Sequence, residues 1–262
     1  MKREIAALVL LCAVFVSPPL FAEAHGVFSG TNREAKRHRD MPAILMYHDV
    51  MDIQPETDAM RQVIAIMPEH LEEQFRYLED NGFKTLFVSE FAGLIGSEMP
   101  KKSVVITFDD GLTDVYEVVL PLIKKYNIKI TVYANPGFNG TNGRMSYAQI
   151  KKLHDSGLVE IGTHTMKHAN LMLADDDEAR AEIRYSKGVL QEIIEAPVTS
   201  FAYPFGKFGY REEKLVADEG FRIALAADHS HGKNYRNLLS LPRTNIGEKT
   251  SLKEFIRILR GL

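Results

Sequence analysis

The sequence has almost no cysteine, and Cys12 is the single one among 262 residues. Cys12 lies in an apolar run, residues 5–16, that follows two basic residues and leads to the small-residue motif Ala-Glu-Ala at 22–24. This arrangement is typical of a secretory signal peptide, which we predict at residues 1–24. The mature chain would then contain no cysteine, so a hydrophobic core must stabilise it without disulfides. We expect the protein to be exported to the periplasm or the medium.

Long apolar runs are also missing after residue 24. None approaches the roughly 20 apolar residues that a transmembrane helix needs, so we expect no integral membrane segment in the mature chain. The formal net charge is −3, which gives no indication of nucleic-acid binding. Because 45% of the residues are apolar, the chain suffices for one core. We predict one domain at residues 41–262, after a polar tail at 25–40, and the oligomeric state stays open.

Short segments rich in β-branched and aromatic residues alternate with amphipathic segments along this domain, which predicts βα units around a parallel sheet. The predicted strands are residues 43–47, 84–88, 103–108, 129–134, 159–162, 200–203, 222–226 and 240–245. The predicted helices are residues 68–81, 113–126, 146–156, 175–194, 210–219 and 251–262. Seven or eight parallel strands suffice to close a barrel, so the predicted fold class is α/β, a distorted (β/α) barrel of about seven strands.

Polar clusters follow two of the predicted strands, at the end where such barrels collect their chemistry. Asp109 and Asp110 follow one strand, and two adjacent carboxylates there repel each other unless a cation lies nearby. His164 and His168 follow another, and histidines four residues apart can face the same way. One carboxylate and two imidazoles make a three-ligand metal site with room for water. Taken singly, these residues have plainer interpretations, namely a capped turn and hydrogen-bonded surface histidines.

A third cluster, Tyr-Pro-Phe-Gly at 203–206, follows the next predicted strand. Pro204 and Gly206 favour a bend there, and such a bend can direct a backbone N–H group into the site. Without the other two clusters, an ordinary turn between a strand and a helix would explain the same residues.

The order of these motifs is recognisable. TFDDG at 107–111, HTMKH at 164–168 and YPFG at 203–206 together resemble the polysaccharide deacetylase family with the NodB homology domain, carbohydrate esterase family 4. The resemblance extends over residues 41–246. The first two motifs in combination are highly specific for this family.

The resemblance implies a role for each matching residue. Asp109 would be the general base, and Asp110, His164 and His168 would be the ligands of one divalent metal ion. Zinc is the usual ion for mixed histidine and carboxylate ligands, although cobalt or nickel also fits. The backbone N–H group of Phe205 would contribute to the oxyanion site.

The chain also departs from the family pattern. Phe201 occupies the position where many members carry an arginine that orients the base, and the usual groove tryptophan is absent because the chain has no tryptophan. The late histidine that supplies the general acid is missing, and Leu-Pro-Arg-Thr-Asn occupies its neighbourhood at 241–245. Residues 44–50 and 68–86 look most like the branch acting on poly-β-1,6-N-acetylglucosamine, which tolerates such changes.

These departures leave two roles to fill. For the orienting cation we predict Arg243, at the end of the last strand, where a surface ion pair is the alternative. For the general acid we predict His48, because an imidazole is matched to neutral pH and the apolar strand 43–47 ends directly before it. Its neighbour Asp49 could orient the ring. The alternative for His48 is a hydrogen bond to the following loop.

The loop at 227–239 offers further candidates. Its polar side chains would suit a rim that contacts sugar, although a solvated loop explains them more simply, and two of its histidines are alternative proton donors. These residues are His229, His231, Lys233, Tyr235 and Arg236.

We therefore predict an exported, metal-dependent hydrolase that removes acetyl groups from N-acetylglucosamine units of an N-acetylated polysaccharide. Its substrate would be an exopolysaccharide such as poly-β-1,6-N-acetylglucosamine. The alternatives are a deacetylase of peptidoglycan or chitooligosaccharides, a hydrolase of small amides, and an inactive sugar-binding protein.

Overall fold

The computed structural model describes residues 41–227 and 237–261. The predicted signal peptide at 1–24, the tail at 25–40 and the candidate sugar-contacting residues within 228–236 lie outside the described residues. In the described residues, strands and helices alternate along the chain, and the strands form a single sheet.

The strands of this sheet are all parallel, with the order β7-β6-β5-β4-β3-β1-β8, and β2 pairs with the first half of β3. Their bounds lie within two residues of prediction, except for a much shorter last strand. The strands are β1 Ala43–Tyr47, β2 Lys84–Leu86, β3 Ser103–Phe108, β4 Ile130–Ala134, β5 Val159–Thr163, β6 Ser200–Ala202, β7 Ile223–Leu225 and β8 Thr244–Asn245.

One short segment, residues 241–245, connects the two edges of the sheet. Leu241 forms a parallel bridge with Leu225 of β7, and its N–H group donates to Ala224. Three residues later, Thr244 and Asn245 pair with β1. The sheet therefore curls into a ring, and the predicted distorted (β/α) barrel is confirmed.

The helices cover the outside of the ring. They are α1 Arg61–Ile64, α2 Pro68–Asp80, α3 Val88–Leu94, α4 Leu120–Tyr126, α5 Tyr147–Asp155, α6 Asp176–Ile194, α7 Tyr210–Asp218 and α8 Leu252–Leu259. Local signals set several of their ends. Asp175 caps α6 by accepting the N–H group of Glu178, and Ser146 forms a capping box with Gln149 at the start of α5.

Helix α3 was not predicted from the sequence, because the apolar pattern of residues 84–88 indicates a single strand. Val88 instead begins a helix, and the Glu90 carboxylate accepts the N–H group of Phe87 at 3.0 Å. This side-chain bond stabilises a helix start directly after β2. The apolar pattern could not distinguish a buried strand from the first turn of a buried helix.

The predicted helix at 113–126 is not regular either. A π-helical segment, Val115–Val119, precedes α4, and the N–H group of Leu120 donates to Val115, five residues back. Pro121 follows directly and has no N–H group to continue the regular ladder, which accounts for the wider turn.

Side chains alternate across the strands, so the sheet has two apolar faces. In β3, Val104, Ile106 and Phe108 pack in the larger cluster, which includes side chains of α2. Val105 belongs to the second cluster, with residues of β1, β4, β7 and α3. By the same two-residue period, Thr107 and Asp109 lie on the face of Val105. Asp109 is therefore directed into the ring.

The close packing inside the ring gives a test. A Cβ atom at Gly162 of β5 would overlap the ring of Tyr133 and lie 2.7 Å from Oγ of Ser200. We expect Gly162→Ala to lower the free energy of unfolding by about 1–3 kcal/mol in urea titrations. The matched control is Gly188→Ala in α6, where a Cβ atom meets nothing within 4 Å. In the control, the free energy of unfolding should rise by about 0.5–1 kcal/mol, because glycine is unfavourable inside a helix. Equal changes in the two variants would contradict the close packing around Gly162.

Candidate active site

The polar clusters predicted from the sequence converge at the carboxyl ends of the strands. Asp110 follows β3, and His164 and His168 follow β5. One ligand atom from each of these three side chains lies within 4.8 Å of the others. Nε2 of His168 is 3.3 Å and Nε2 of His164 is 3.9 Å from Oδ1 of Asp110. The structure thus brings together the three residues that were predicted as metal ligands.

A backbone hydrogen bond fixes the ring of His164. Its Nδ1 atom lies 2.7 Å from the carbonyl oxygen of Ala202, the last residue of β6. A carbonyl oxygen only accepts, so Nδ1 carries the proton and the lone pair is on Nε2, which faces Asp110. Burial lowers the pKa of His164 and of His168, against the opposing effect of the nearby aspartates. Both rings are therefore neutral at pH 7, the form that binds metals.

Asp110 has an unusual environment. Its Oδ1 atom is buried and has no hydrogen-bond partner within the described part of the chain. Its Oδ2 atom lies 3.6 Å from a guanidinium nitrogen of Arg144. An unpaired buried carboxylate oxygen beside two neutral imidazole nitrogens is a donor set that suits a divalent cation. The residues present therefore fit the metal that the sequence analysis predicted.

Backbone strain accompanies this geometry. Asp110, Thr165 and His168 all have positive φ angles, of 69°, 66° and 57°. Such conformations cost energy for residues other than glycine and persist where the surroundings enforce them.

Neighbouring side chains hold the histidine loop in that conformation. The amide group of Asn135, directly after β4, donates to the carbonyl oxygens of His164 and Thr165. On the far side, the carboxylate of Glu182 in α6 accepts the N–H group of Lys167 at 3.0 Å. The loop between the two histidines is thus fixed from β4 and from α6.

Asp109 forms a two-pronged ion pair with Arg243. Nη1 and Nη2 of the arginine each lie 2.7 Å from a different oxygen of the carboxylate. Both residues are almost fully buried, with 2% and 1% of their surface exposed. Arg243 also donates hydrogen bonds to the carbonyl oxygen of Ala226 at 2.7 Å and to the hydroxyl of Thr107 at 3.1 Å. The alternative of a surface ion pair for Arg243 is excluded.

This ion pair determines the charge of Asp109. Burial alone would raise the pKa of Asp109, but the charge and hydrogen bonds of Arg243 hold it well below its ordinary value. Oδ2 also lies 3.9 Å from Nε2 of His164, one of the three candidate ligands. Each carboxylate oxygen keeps a second lone pair, and Asp109 can therefore accept another hydrogen bond on that side.

His48 reaches the same site from the end of β1. Burial lowers its pKa, and the negative charges of Asp109 and Asp110 oppose this shift, so the ring lies in the neighbourhood of both carboxylates. Its Nδ1 atom is buried without a partner among the described residues. The expectation that Asp49 orients this ring is wrong, because the Asp49 carboxylate instead lies 3.4 Å from Arg61.

Phe205 lies at the rim. It follows Pro204 in a short 3-10 turn, has a φ angle of 60°, and is 57% exposed. Its ring centroid is 4.4 Å from that of His168 in an edge-on contact. The turn therefore lies beside the candidate ligands, and the role of its backbone N–H group remains a prediction.

Two residues of this site, Arg144 and Asn135, were not predicted from the sequence. Asn135 follows a predicted strand and precedes a proline, so the rule that strand ends carry function could have found it. Arg144 lies in a long loop before α5 and carries no such signal.

Comparison with known proteins agrees with this geometry. Residues 96–224, which include all three motifs, match the family model described as polysaccharide deacetylase. The chain therefore carries a polysaccharide deacetylase domain, and the family indicated by the motifs is confirmed. The match does not extend to His48 or Arg243.

Individual relatives are distant but cover most of the chain. YxkH of Bacillus subtilis is 26% identical over 216 residues, which are 81% of this chain and 74% of YxkH. A poly-β-1,6-N-acetyl-D-glucosamine N-deacetylase of Staphylococcus aureus is 24% identical over 198 residues, 70% of this chain and 68% of that enzyme. Among solved structures, the Streptococcus pyogenes deacetylase PplD in complex with acetate has a TM-score of 0.75 at 25% identity, covering 83% of this chain and 97% of PplD.

Within residues 41–227 and 237–261, no helix is both long enough and apolar enough to cross a membrane.

The buried ion pair gives a second test. We expect Arg243→Gln to lower the free energy of unfolding at pH 7 by about 3–5 kcal/mol, because Asp109 would be buried without its counterion. Since the folded-state pKa of Asp109 is depressed, the stabilisation by the pair is present above about pH 4 and is lost as the pH falls further. The difference in the free energy of unfolding between the variant and the wild type should therefore become smaller in acid.

The matched control is Arg257→Gln in α8, which removes an exposed arginine that pairs with Glu254. Such surface pairs contribute little, so this variant should unfold like the wild type. Equal destabilisation by the two substitutions would contradict the role given to the buried pair.

Proposed function

We propose that this protein is a metal-dependent N-deacetylase acting on N-acetylglucosamine units of an exopolysaccharide such as poly-β-1,6-N-acetylglucosamine. The observation that carries the proposal is that two adjacent carboxylates at the end of β3, those of Asp109 and Asp110, have different surroundings. One is paired with a buried arginine, and the other has an unpaired oxygen facing two imidazoles.

Asp110, His164 and His168 would hold one divalent ion, with zinc as the first choice and cobalt or nickel as alternatives. When bound, the ion would acidify a water molecule and polarise the carbonyl group of the acetamide. Arg144 would steady the second oxygen of Asp110 from the opposite side.

Asp109 would be the general base. Arg243 keeps it ionised and fixes the plane of its carboxylate, so that the remaining lone pairs have one orientation. Its depressed pKa makes it a weak base, which suits the removal of a proton from an already acidic donor. The backbone N–H group of Phe205 would stabilise negative charge on the former carbonyl oxygen.

His48 would be the general acid that protonates the departing amine. Expulsion of an unprotonated amine is costly, and the side chain that donates must lie across the site from the base. The effect of the Asp109 and Asp110 charges on the pKa of His48 supports a location of this ring close to the base.

The choice of polymer has two supports. The Staphylococcus aureus relative is named for poly-β-1,6-N-acetyl-D-glucosamine, and the groove tryptophan of many other family members is absent from this chain. Peptidoglycan and chitooligosaccharides are the alternative substrates. The predicted signal peptide at 1–24 supports action in the periplasm or outside the cell.

The first test is acetate release. The protein without residues 1–24 should release acetate from poly-β-1,6-N-acetylglucosamine oligomers more readily than from chitin oligomers of equal length. His168→Ala should lose both metal and activity. Asp109→Asn should keep the metal, measured by elemental analysis, and lose about 10²-fold in turnover.

Two results would contradict this assignment. Preference for chitin or peptidoglycan fragments would favour the alternative substrates. An Asp109→Asn variant that is active but metal-free would mean that the two aspartates have exchanged roles.

The second test concerns His48. We expect His48→Ala to retain metal and to lose about 10²-fold or more in turnover of acetylated sugar, because general acid catalysis commonly contributes that much. The loss should be much smaller for an activated acetate ester, whose leaving group needs no proton. A variant that deacetylates sugar at the normal rate would disprove the acid role and direct attention to His229 and His231.

A further inference from the structure

We infer that Asp114 is a positioning residue, which holds the chain after β1 so that His48 faces the candidate metal site. The inference rests on the proposed acid role of His48. Asp114 lies four residues after Asp110, where the loop from β3 enters the π-helical segment Val115–Val119.

Two hydrogen bonds from the β3 side bracket His48. The residue before it, Tyr47, accepts the N–H group of Asp109 through its carbonyl oxygen at 3.0 Å. Two residues after it, Val50 donates its N–H group to Oδ2 of Asp114 at 2.6 Å. The backbone around His48 is therefore fixed at both ends by the segment that carries both site aspartates.

On their other side, the residues that follow His48 form hydrogen bonds with a later part of their own loop. Val50 forms a parallel bridge with Ile66, in which Ile66 donates to Asp49 at 2.9 Å and Met51 donates to Ile66 at 3.1 Å. Arg61 holds the Asp49 carboxylate. These contacts join the segment to its own loop, whereas the bond to Asp114 joins it to the site. Asp114 thus links the residues after His48, through its side chain, to the segment that carries the two aspartates.

The surroundings of Asp114 indicate that its role requires a hydrogen-bond acceptor for the N–H group of Val50 more than a negative charge. Oδ1 is buried and has no hydrogen-bond partner within the described residues. Burial raises the pKa of Asp114 to about 7, although the N–H group of Val50 opposes the shift. A carboxyl group that is partly protonated near neutral pH still accepts one N–H group. Asparagine has the same shape and offers the same acceptor, so it should replace Asp114 with little loss.

The experiment is a double-mutant cycle on turnover of acetylated glucosamine oligomers by the metal-loaded enzyme. Asp114→Ala should lower kcat by about 10- to 100-fold, the size of effect expected when a catalytic group is misplaced by about 1 Å. KM and metal content should change little, and Asp114→Asn should restore most of kcat. In the His48→Ala background, Asp114→Ala should cause no further loss.

Asp175→Ala is the matched control. It also removes a carboxylate that accepts a backbone N–H group, that of Glu178 at 2.9 Å, but at the start of α6. Its kcat should equal that of the wild type. If Asp114→Ala does not fold, Asp114→Glu serves instead, because the longer side chain keeps the acceptor and displaces Val50. Asp114→Glu should lower kcat when His48 is present and should cause no further loss in the His48→Ala background.

The outcomes separate the two hypotheses. If His48→Ala is slow but Asp114→Ala lowers kcat equally with and without His48, Asp114 acts independently and the inference is overturned. The same holds if Asp114→Ala leaves kcat unchanged or releases the metal. If His48→Ala itself turns over normally, the acid role in the proposed function fails first, and the positioning role fails with it.

Discussion

The buried pair of Asp109 and Arg243 is the interaction on which the rest of the site depends. Removing two charges from water costs several kcal/mol for each ion, and this cost is offset only when the geometry is excellent and the remaining donors are satisfied. Here the guanidinium group bonds both carboxylate oxygens, the carbonyl oxygen of Ala226 and the hydroxyl of Thr107. The pair therefore fixes one aspartate as a charged, oriented group inside the ring.

The same pair makes the two neighbouring aspartates different. Asp109 has its own cation, whereas Oδ1 of Asp110 is left without a partner and faces His164 and His168. Two like charges at one strand end would otherwise shift each other's pKa values and compete for one counterion. A division of this kind lets adjacent residues perform separate tasks, and the second of them, Asp110, has a strained backbone with a positive φ angle.

Much of this arrangement could be predicted from the sequence, because strand ends are local features. β1 and β3 have the predicted bounds. Because the carboxyl ends of parallel strands lie at the same end of a barrel, the clustering of Asp110 with the two histidines could be predicted, and the structure shows it. The period of two along β3 also implies that Asp109 points into the ring. A cation beside the aspartates followed from electrostatics alone.

Features that arise from long-range packing were less accessible. The short helix α3 was hidden because its first turn continues the apolar run of β2. Arg144 approaches Asp110 from a loop whose path no local signal defines. The partner of Asp49 could not be predicted, since it depends on how the loop after β1 folds back to Arg61. The π-helical segment could have been suspected from Pro121, but its register required the hydrogen bond of Leu120 to Val115.

The position of Arg243 along the chain has a consequence for the order of folding. Its partner Asp109 is 134 residues earlier, and Arg243 belongs to the short segment that closes the ring between β7 and β1. A growing chain can pair β3 with its neighbours long before this arginine is synthesised, and until then a carboxylate points into an open, solvated half-barrel. Neutralisation of the Asp109 charge and closure of the barrel therefore depend on the same short segment, residues 241–245. A chain in which this segment has not yet docked can keep β3 paired with its neighbours, but its Asp109 then lacks the counterion that the closed ring supplies.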